Sequence, residues 1–418
     1  MNKLVVVMAT DENYIIPTKV AMSSILDSAS KDSLYEFHIL CNRKVNENIR
    51  QKLIVLEETY EYLKVLFHEI EDIELNDATI NAHVSLASYY RLYISRIIDE
   101  ERCFYVDSDM IIREDLLPVY HTDLHDYYIA AVRDMGVQAN MKYHSEYADC
   151  LEIASMKGYV NAGFMLLNLK KIREDGLDKV FISAIKCGYK YMDQDIINKY
   201  CYGSIKYLPL RYDYFTEFDG DSSKEYIQYY PEQELEWMDH TCVLHYAGIF
   251  KPWLCTRLKM NQYWWNQAKK ILSDKEYQEV LTQAHEFERK SDWTYILEKT
   301  EREKNVVIFG FSEIGRNVAN LLRKAGHNVI AAYADNDTSK HGMEYQGITV
   351  LSVEDICLKF SDPLWIISSQ NGFIAIGRQL QELGIGEERI IRYIWKDKTY
   401  YDRLDDKYRA YELQILGG

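Results

Sequence analysis

Two aspartates, Asp107 and Asp109, follow an apolar stretch and are separated by a single residue. Alternate side chains of an extended backbone point to the same face, so this spacing predicts two carboxylates that converge where a strand ends. Carboxylate oxygens are hard ligands, and a pair of them suits a Mg²⁺- or Mn²⁺-type ion that also holds a diphosphate. Acidic pairs at strand ends are also common as solvated groups, so the spacing alone leaves both interpretations open.

The elements before this pair alternate between strands and helices. The pattern predicts strands at 4–9, 36–41 and 64–68, and helices at 46–56 and at 18–29 directly after Pro17. This alternation is typical of an α/β fold with a mainly parallel sheet and helices on both faces. Because ligands of such sheets bind beyond the carboxyl ends of the strands, we expect residues 9–11 and 107–109 to lie at one edge.

Composition limits the partners that the chain can have. Its 418 residues include 49 basic and 65 acidic side chains, which give a net charge of −16, and 47% of the residues are hydrophobic. The length predicts two or three domains with a full core. The acidic balance argues against nucleic acid as the main partner, because binding to its phosphates needs a basic face.

Targeting and redox features favour a cytoplasmic protein. The apolar run at 4–9 is too short for a signal peptide, and no segment reaches the length of a membrane span. The eight cysteines are scattered without a C-x-x-C pair, which is typical of reduced thiols and argues against a disulfide framework or a zinc site.

Four further segments place polar residues after predicted strands or at the start of predicted helices. Their sequences are A-T-D-E-N-Y (9–14), S-L-A-S-Y-Y-R-L (85–92), G-Y-V-N-A-G-F-M-L-L-N-L (158–169) followed by D-Q-D-I-I-N (193–198), and H-Y-A-G-I-F-K-P-W (245–253). Gly163 would let the backbone approach a ligand closely. The last segment offers a metal ligand, a close backbone approach and a cation for phosphate within one loop.

Each segment also has an ordinary structural explanation. Asp11 is equally consistent with a capped turn, and Asp193 with the N-cap of a helix. An arginine such as Arg91 is usually a surface charge unless it faces a site. A lone histidine after an apolar strand, such as His245, is more often a core residue than a ligand. The residues alone therefore leave binding and structural roles open.

Together, the segments resemble glycosyltransferase family 8, the retaining enzymes that include bacterial lipooligosaccharide galactosyltransferases and glycogenin. The resemblance covers about residues 1–270 and keeps the order and approximate spacing of the family's motifs. It implies a nucleotide-diphospho-sugar transferase fold of the GT-A type, with a Rossmann-like mixed sheet. It also implies Mn²⁺ as the cofactor, with Mg²⁺ as the alternative.

The resemblance further implies a role for each matching residue. Asp107, Asp109 and His245 would ligate the metal. Ala9, Asp11 and Asn13 would hold the uridine of a UDP-sugar, and Gly248 and Lys251 would hold its diphosphate. The donor sugar would be contacted by Arg91, Asp134, Asn161 and Asp193. The remaining donor-binding residues would be Thr10, Tyr14, Asp107, Ser108, Ala162, Gly163, Gln194 and His245. Catalytic roles are implied for Asp193, Gln194 and Lys251.

The activity implied is transfer of a hexose, glucose or galactose, from a UDP-sugar to a glycan, glycoprotein or lipid-linked acceptor. The metal and the Lys251 ammonium would stabilise the charge that develops on the departing UDP. The family retains the α configuration of the donor. Gln194 lies where the family has its proposed nucleophile, but an amide is a poor nucleophile. We therefore expect same-face attack by the acceptor hydroxyl, with the Gln194 carbonyl oxygen stabilising the positive charge.

Two alternatives to this activity are left open. A glycogenin-like protein that glucosylates its own tyrosines is consistent with the 35 tyrosines of the chain. A non-catalytic nucleotide-sugar sensor is also consistent, although every position that matches the metal and diphosphate sites is intact.

A second, smaller Rossmann-like α/β domain is predicted after residue 304. Strands are expected at 306–310, 328–334, 364–369 and 389–393, with a helix at 314–326. The segment 310–315 resembles a dinucleotide-binding fingerprint in which Ser312 replaces the middle glycine, and Asp335 and Asp337 follow the next strand. The serine would keep the backbone away from a pyrophosphate, so a structural or oligomerisation module is favoured over a nucleotide site.

These patterns give four regions: a catalytic domain at 1–272, a helical linker at 273–304, the accessory domain at 305–395 and a helical tail at 396–418. Helices are predicted at 258–272 and 275–298, and the charged run at 298–304 is expected to be solvated. Self-association through the accessory domain is left open. Peripheral attachment to the inner face of the membrane is also left open. The short bacterial relatives carry a basic, aromatic membrane-attaching tail, and in this chain the linker and the accessory domain take the place of that tail.

Overall fold

The computed structural model of the chain describes residues 2–30, 33–71, 86–218, 230, 240–369, 372–394, 396, 400, 403–405 and 408. The chain divides into two compact units, the first formed by residues 1–252 and 258–277 and the second by residues 253–257 and 278–418. Most of the helical tail predicted at 396–418 lies outside the described residues.

The described strands of the first unit form two sheets. In chain order they are β1 (Asn2–Ala9), β2 (Ser33–Cys41), β3 (Leu63–Glu69), β4 (Arg102–Val106), β5 (Met110–Ile112), β6 (Ile129–Arg133), β7 (Val160–Asn168), β8 (Ile205–Tyr207), β9 (Tyr214–Phe215) and β10 (Val243–His245). The main sheet has the order β3-β2-β1-β4-β7-β6-β8, and the smaller sheet has the order β5-β10-β9.

The main sheet is mixed, as predicted. Strand β1 pairs in parallel with β2 and β4, and β2 pairs in parallel with β3, so the βαβ pattern read from the sequence holds for the first four strands. Strand β7 is antiparallel to both β4 and β6. Its residues from Val160 to Leu167 are buried, and a buried strand has the same continuous apolar pattern in either direction.

Helices surround the sheets of the first unit. They are α1 (Ile15–Asp27), α2 (Glu47–Ile54), α3 (Leu56–Thr59), α4 (Ile94–Ile97), α5 (Leu117–Tyr120), α6 (Met135–Ala139), α7 (Met141–His144), α8 (Tyr147–Leu151), α9 (Leu169–Glu174), α10 (Leu177–Ala184), α11 (Met192–Cys201) and α12 (Asn261–Ile271), with 3₁₀ helices at Leu86–Tyr93, Met156–Gly158, Ile185–Cys187, Leu210–Tyr212, Thr216–Phe218 and Pro252–Leu254. The helix predicted from Ser85 is the first of these 3₁₀ helices, and Ser85 itself lies outside the described residues.

Helix α1 connects β1 to β2 of the main sheet, contacts β5 of the smaller sheet, and is buried along most of its length. Its polar side chains are satisfied within the unit: the Ser24 hydroxyl accepts a hydrogen bond from the amide of Ile112 at 3.0 Å. The Ser23 hydroxyl accepts one from Gln267 of α12 at 3.0 Å. Because buried polar groups are costly without partners, these bonds fix the strand β5 and the helix α12 against α1.

The second unit contains a further mainly parallel sheet. Its strands are β11 (Val306–Phe309), β12 (Ile330–Ala334), β13 (Glu344–Tyr345), β14 (Ile348–Leu351), β15 (Leu364–Ile367) and β16 (Ile390–Arg392), in the order β13-β14-β12-β11-β15-β16. The remaining helices are α13 (Asp274–Lys290), α14 (Trp293–Thr300), α15 (Glu313–Lys324), α16 (Val353–Lys359) and α17 (Phe373–Glu382), with 3₁₀ helices at Thr338–Lys340 and Glu387–Arg389. The smaller Rossmann-like α/β domain is present as predicted.

Next to this unit, one prediction is wrong and a second holds only in part. The single helix expected at 275–298 is interrupted, because the backbone of Asp292 is extended, with φ −78° and ψ 142°. The charged run at 298–304 is not solvated throughout. Thr300 is fully buried, and its hydroxyl lies 2.8 Å from Nδ1 of His327. Glu303 forms an ion pair with Arg389 at 2.7 Å. Thr300 and Glu303 therefore pack within the second unit, whereas the other residues of the run are exposed.

The fingerprint-like turn of the second unit is stabilised by its own side chains. Gly310 has φ +112°, a conformation that strongly favours glycine. The Ser312 hydroxyl caps helix α15 by accepting a hydrogen bond from the amide of Gly315. The amide of Phe311 donates to Oδ2 of Asp335 at 2.8 Å. An amide that would face a phosphate in a nucleotide site is thus bonded to a carboxylate.

No helix within the described ranges is both long enough and apolar enough to cross a lipid bilayer. All eight cysteines lie in described positions, and none of them forms a disulfide.

Candidate active site

Three predicted metal ligands converge in the first unit. Asp107, Asp109 and His245 each place one ligand atom within 4.8 Å of the others. The Asp107 side chain is 25% exposed and that of Asp109 is 14% exposed, so the group opens towards solvent. Two carboxylates and one imidazole form a donor set that suits a divalent cation such as Mn²⁺. The residues present therefore fit the metal that the sequence predicts.

The two sheets bring these ligands together. Asp107 directly follows β4, and its amide donates to the carbonyl of Gly163 in β7 at 2.8 Å. Asp109 directly precedes β5, while His245 ends β10, and these two strands pair with His245 opposite Met110. The amide of Tyr246 donates to the Asp109 carbonyl at 2.9 Å and extends this pairing. The short turn between β4 and β5 thus connects the two sheets at the ligand group.

Asp107 is held by a tyrosine and an arginine. Its Oδ1 accepts hydrogen bonds from the Tyr105 hydroxyl at 2.8 Å and from Arg91 Nη2 at 3.1 Å. The guanidinium of Arg91 also lies over the Tyr105 ring, 4.4 Å from its centroid. Burial raises the pKa of Asp107, an effect that Arg91 opposes and the neighbouring Asp109 reinforces.

Asp109 pairs with cations on two sides. Lys251 Nζ lies 2.5 Å from its Oδ2, and His245 Nε2 lies 3.4 Å from its Oδ1. Burial opposes ionisation of Asp109, but the Lys251 ammonium and His245 together lower its pKa. Lys251 also donates to the carbonyl of Tyr246 at 2.6 Å. The predicted diphosphate-binding cation therefore lies next to a predicted metal ligand.

His245 bridges two carboxylates. Its Nδ1 lies 2.8 Å from Oδ1 of Asp213, while its Nε2 faces Asp109. Burial disfavours the charged imidazolium, but Asp213 and Asp109 outweigh it and raise the pKa of His245 to about 10. Burial also raises the pKa of Asp213 to about 6, against the opposing effect of His245. A metal ion at this group would compete with protons for the imidazole.

Gly163 makes room for these side chains. A Cβ at this position would lie 2.8 Å from Asp107 Oδ2, 2.8 Å from Cε1 of His245 and 2.9 Å from Oδ1 of Asn161. The sequence analysis expected the glycine to admit a ligand to the backbone. In the structure, the space is filled by the site's own side chains.

Arg91 also anchors the start of helix α11. Its Nε lies 3.0 Å from Oδ2 of Asp193, and the two side chains are 8% and 5% exposed. Asp193 does not cap the helix, which starts one residue earlier at Met192 with the left-handed φ of +53°. Burial raises the pKa of Asp193 to about 6, although Arg91 opposes this shift. Arg91 is therefore a buried site residue and not a surface charge.

Asp134, Asn161 and Gln194 form a second polar group. Asp134 Oδ1 caps α6 through the amide of Val137 at 2.8 Å. Its Oδ2 accepts hydrogen bonds from Asn161 at 2.9 Å and from Gln194 Nε2 at 3.1 Å. Gln194 Oε1 accepts from the amide of Ala162 at 3.0 Å and from Asn161 Nδ2 at 3.1 Å. Because the Ala162 amide is a donor, it fixes which side of the Gln194 amide is oxygen.

The loop at 9–14 connects β1 to α1. Asp11 Oδ1 caps a turn by accepting from the amides of Asn13 at 2.9 Å and Tyr14 at 3.1 Å. Thr10 and Ser108 each lie 2.8 Å from the hydroxyl of Thr18, and Ser108 donates to the Ala9 carbonyl at 3.1 Å. The loop is thereby fixed to the Asp107–Asp109 turn. The turn-capping explanation of Asp11 is confirmed, and its role in donor binding stays a prediction.

Gly248 is closely packed against an acidic residue. A Cβ at this position would lie 1.2 Å from Oε1 of Glu217, so a side chain there would collide with the carboxylate. Glu217 lies in the 3₁₀ helix Thr216–Phe218 and is partly exposed.

The sequence analysis did not identify Tyr105, Asp213 or Glu217. Tyr105 shares the strand alternation of Asp107 and could have been found from it. Asp213 and Glu217 reach the site through contacts with His245 and Gly248, which are distant in sequence. Those two contacts leave no signal in a single sequence.

The comparisons with known proteins agree with this geometry. The model of Glycosyl transferase family 8 matches residues 5–257, which is more than half of the chain. The chain belongs to glycosyltransferase family 8. This membership confirms the predicted family and enzyme class, a hexosyltransferase. Residues 302–391 match a different family model, described as C2185-like, N-terminal.

Several bacterial glycosyltransferases are similar to this chain in sequence. A putative glycosyltransferase of Haemophilus influenzae is 29% identical over 53% of this chain and 66% of that protein. Glycosyltransferase GlyF of Streptococcus pneumoniae is 24% identical over 82% of this chain and 79% of that protein. A lipopolysaccharide 1,2-glucosyltransferase of Escherichia coli is 28% identical over 58% of this chain and 71% of that protein.

Solved structures support the fold. The bifunctional glycosyltransferase WbbM has a TM-score of 0.58 at 21% identity, over 68% of this chain and 52% of that chain. The galactosyltransferase LgtC, solved with donor and acceptor sugar analogs, has a TM-score of 0.56 at 24% identity, over 66% of this chain and 100% of that chain. The predicted GT-A fold is therefore confirmed for the first unit.

Proposed function

We propose that this family 8 enzyme is a metal-dependent retaining glycosyltransferase that moves a hexose from a UDP-sugar to a glycan, glycoprotein or lipid-linked acceptor. The observation that carries the proposal is the convergence of Asp107, Asp109 and His245 within 4.8 Å, with the Lys251 ammonium against Asp109. The lipopolysaccharide 1,2-glucosyltransferase among the relatives supports glucose as the hexose, and galactose is the alternative that the family resemblance implies.

The metal would be held by Asp107, Asp109 and His245. A bound Mn²⁺ supplies Lewis-acid stabilisation of the diphosphate oxygens as the glycosidic bond breaks. Lys251 contributes a fixed positive charge beside these oxygens, which is worth more as their negative charge grows in the transition state. Departure of UDP then requires no protein side chain as a general acid.

Arg91 and the Asp134–Asn161–Gln194 group would position the donor sugar. Arg91 donates to Asp107 and Asp193, so it fixes a carboxylate of the metal group relative to one at the start of α11. Asp134 Oδ2 holds the amide nitrogens of Asn161 and Gln194. These contacts hold the three side chains in a defined arrangement before the sugar binds.

Retention of configuration would follow from same-face attack. Gln194 Oε1 already accepts two hydrogen bonds, and an amide oxygen held in this way is a weak nucleophile. Its partial negative charge remains suited to stabilise an oxocarbenium-like centre, while the acceptor hydroxyl attacks from the side that UDP leaves. Asp193 would keep Arg91 and the start of α11 in place.

The proposal is tested by measuring UDP release across a panel of UDP-sugars with Mn²⁺, before and after addition of EDTA. Metal-dependent release from one donor would support the proposal and identify the sugar. UDP binding without consumption of any donor, across a panel of acceptors, would favour the sensor alternative. Hexose masses added to the protein itself would favour self-glucosylation.

A further inference from the structure

Asp213 is a buried carboxylate whose position depends on the smaller sheet. Its side chain is fully buried, and its Oδ1 lies 2.8 Å from Nδ1 of His245. The residue follows the 3₁₀ helix Leu210–Tyr212 and directly precedes β9, which pairs in parallel with β10. Its amide donates to the Leu210 carbonyl at 3.1 Å. The backbone thereby fixes the carboxylate beside the imidazole.

This contact determines how His245 presents its second nitrogen. A carboxylate only accepts hydrogen bonds, so the proton must lie on Nδ1. In the neutral ring, the lone pair is then on Nε2, which faces Asp109 Oδ1 at 3.4 Å. The Phe215 ring packs against the imidazole in a T-shaped arrangement, with centroids 5.0 Å apart and an interplanar angle of 80°. In its neutral, metal-binding form the ring is therefore held in one orientation and one tautomer.

The second oxygen of Asp213 is unusual. Within the part of the chain that the structure describes, Oδ2 is buried and has no hydrogen-bond partner. A buried carboxylate with an unsatisfied oxygen is costly, and a neutral residue would fill the same space at lower cost. The negative charge at this position therefore calls for a role beyond packing.

We propose that Asp213 is a positioning residue for His245. It fixes the metal-binding tautomer of the ring and makes Nε2 a stronger electron-pair donor to the metal, so that the site selects Mn²⁺ over Mg²⁺. The inference rests on the proposed metal-dependent function. Histidine ligands of metals generally donate their other ring N–H to a carboxylate, a backbone carbonyl or water, and this partner raises the basicity of the ligand. Mg²⁺ prefers oxygen ligands and keeps its waters, so a stronger imidazole donor favours Mn²⁺.

The test is a titration of the full chain with Mn²⁺, followed by electron paramagnetic resonance of the free ion, without any sugar nucleotide. Asp213→Asn has the same size but no charge, and we expect the Kd for Mn²⁺ to rise about 10- to 100-fold. Mg²⁺ competition against Mn²⁺ should become more effective in this variant. Asp178→Asn is the matched control, because Asp178 is also a buried carboxylate but pairs with Arg96 at 3.0 Å.

The outcomes separate the two proposals. If the wild-type chain binds no Mn²⁺, the proposed function fails. If it binds Mn²⁺ and Asp213→Asn binds it equally well, with unchanged Mg²⁺ competition, the positioning role of Asp213 is refuted. If Asp213→Asn does not fold, Asp213→Ser is used in its place, because the serine hydroxyl can still accept from Nδ1–H. The same weakening of Mn²⁺ binding is expected for this variant. Failure of both variants to fold would assign Asp213 a structural role and overturn the inference.

Discussion

At the residue scale, the ammonium of Lys251 is the charge that the site places beside Asp109, at 2.5 Å from its Oδ2. Lys251→Met removes this charge and keeps most of the side-chain volume. We expect kcat for UDP release to fall about 10²- to 10³-fold, because a fixed positive charge acts mainly on the transition state. The measurement is UDP release at saturating donor and Mn²⁺.

Lys19→Met is the control for this variant. Lys19 is also a buried lysine in an ion pair, with Glu276 at 3.1 Å, but no residue of the site contacts that pair among the described contacts. Its substitution should lower thermal stability and leave kcat unchanged. Equal kcat values for Lys251→Met and the wild-type chain would show that Lys251 has no part in UDP departure.

Gly163→Ala tests the close packing of the metal ligands. The added Cβ would lie 2.8 Å from both Asp107 Oδ2 and His245 Cε1, so at least one ligand must move. We expect weaker Mn²⁺ binding together with a loss of about 1–3 kcal/mol in the free energy of unfolding. Calorimetric melting and a Mn²⁺ titration would measure both. Unchanged Mn²⁺ affinity would mean that the ligand positions tolerate displacement.

The sequence predicts part of this site for clear reasons. The spacing correctly predicts that Asp107 and Asp109 converge, but not for the reason expected, because Ser108 and Asp109 form a turn between β4 and β5 and do not continue the strand. His245 joins them through pairing of β10 with β5, which only the motif resemblance could anticipate. The Asp213–His245 contact depends on pairing between β9 and β10 and has no local pattern.

At the element scale, prediction succeeds where the pattern is regular. The strand expected at 4–9 is Asn2–Ala9, and the strand expected at 306–310 is Val306–Phe309. The prediction fails where a local interruption has no strong signal. The break between α13 and α14 contains serine and aspartate but neither glycine nor proline, so amphipathic periodicity continues across it.

The ion pair that Glu303 forms with Arg389, in the segment between α14 and β11, can be tested for its contribution to stability. Arg389 donates to both carboxylate oxygens of Glu303, at 2.7 and 2.9 Å, and this hydrogen bond lowers the pKa of Glu303. We expect Glu303→Gln to lower the free energy of unfolding of the second unit by about 1 kcal/mol at pH 7. A depressed carboxyl pKa contributes stability above the unfolded-state value and loses it as the pH falls through the folded-state value.

Thermal melting of the second unit as a function of pH is the measurement. The difference between Glu303→Gln and the wild-type chain should shrink as the pH falls below the ordinary value of 4.5. Glu301→Gln is the control, because Glu301 is exposed, and it should melt like the wild-type chain at every pH. A Glu303→Gln difference that is absent at pH 7 would show that the Glu303–Arg389 pair does not stabilise the second unit.

At the scale of the whole molecule, the two units should differ in nucleotide binding. In the second unit, Asp335 Oδ2 accepts from the amide of Phe311 at 2.8 Å and lies 3.0 Å from Lys340 Nζ. A pyrophosphate would compete with this carboxylate for the same amide and cation. We expect no NADH binding, measured as no saturable change in NADH fluorescence. A saturable change would assign the second unit a nucleotide site.

The central claim is that Asp107, Asp109 and His245 bind a divalent metal that carries the diphosphate of the donor. Calorimetric titration of UDP into the full chain with Mn²⁺, and again with EDTA, tests it most directly. We expect one UDP per chain, with binding weakened at least about tenfold by EDTA or by Asp107→Asn. Equal UDP affinity with and without the metal, or in wild-type and Asp107→Asn chains, would contradict the claim.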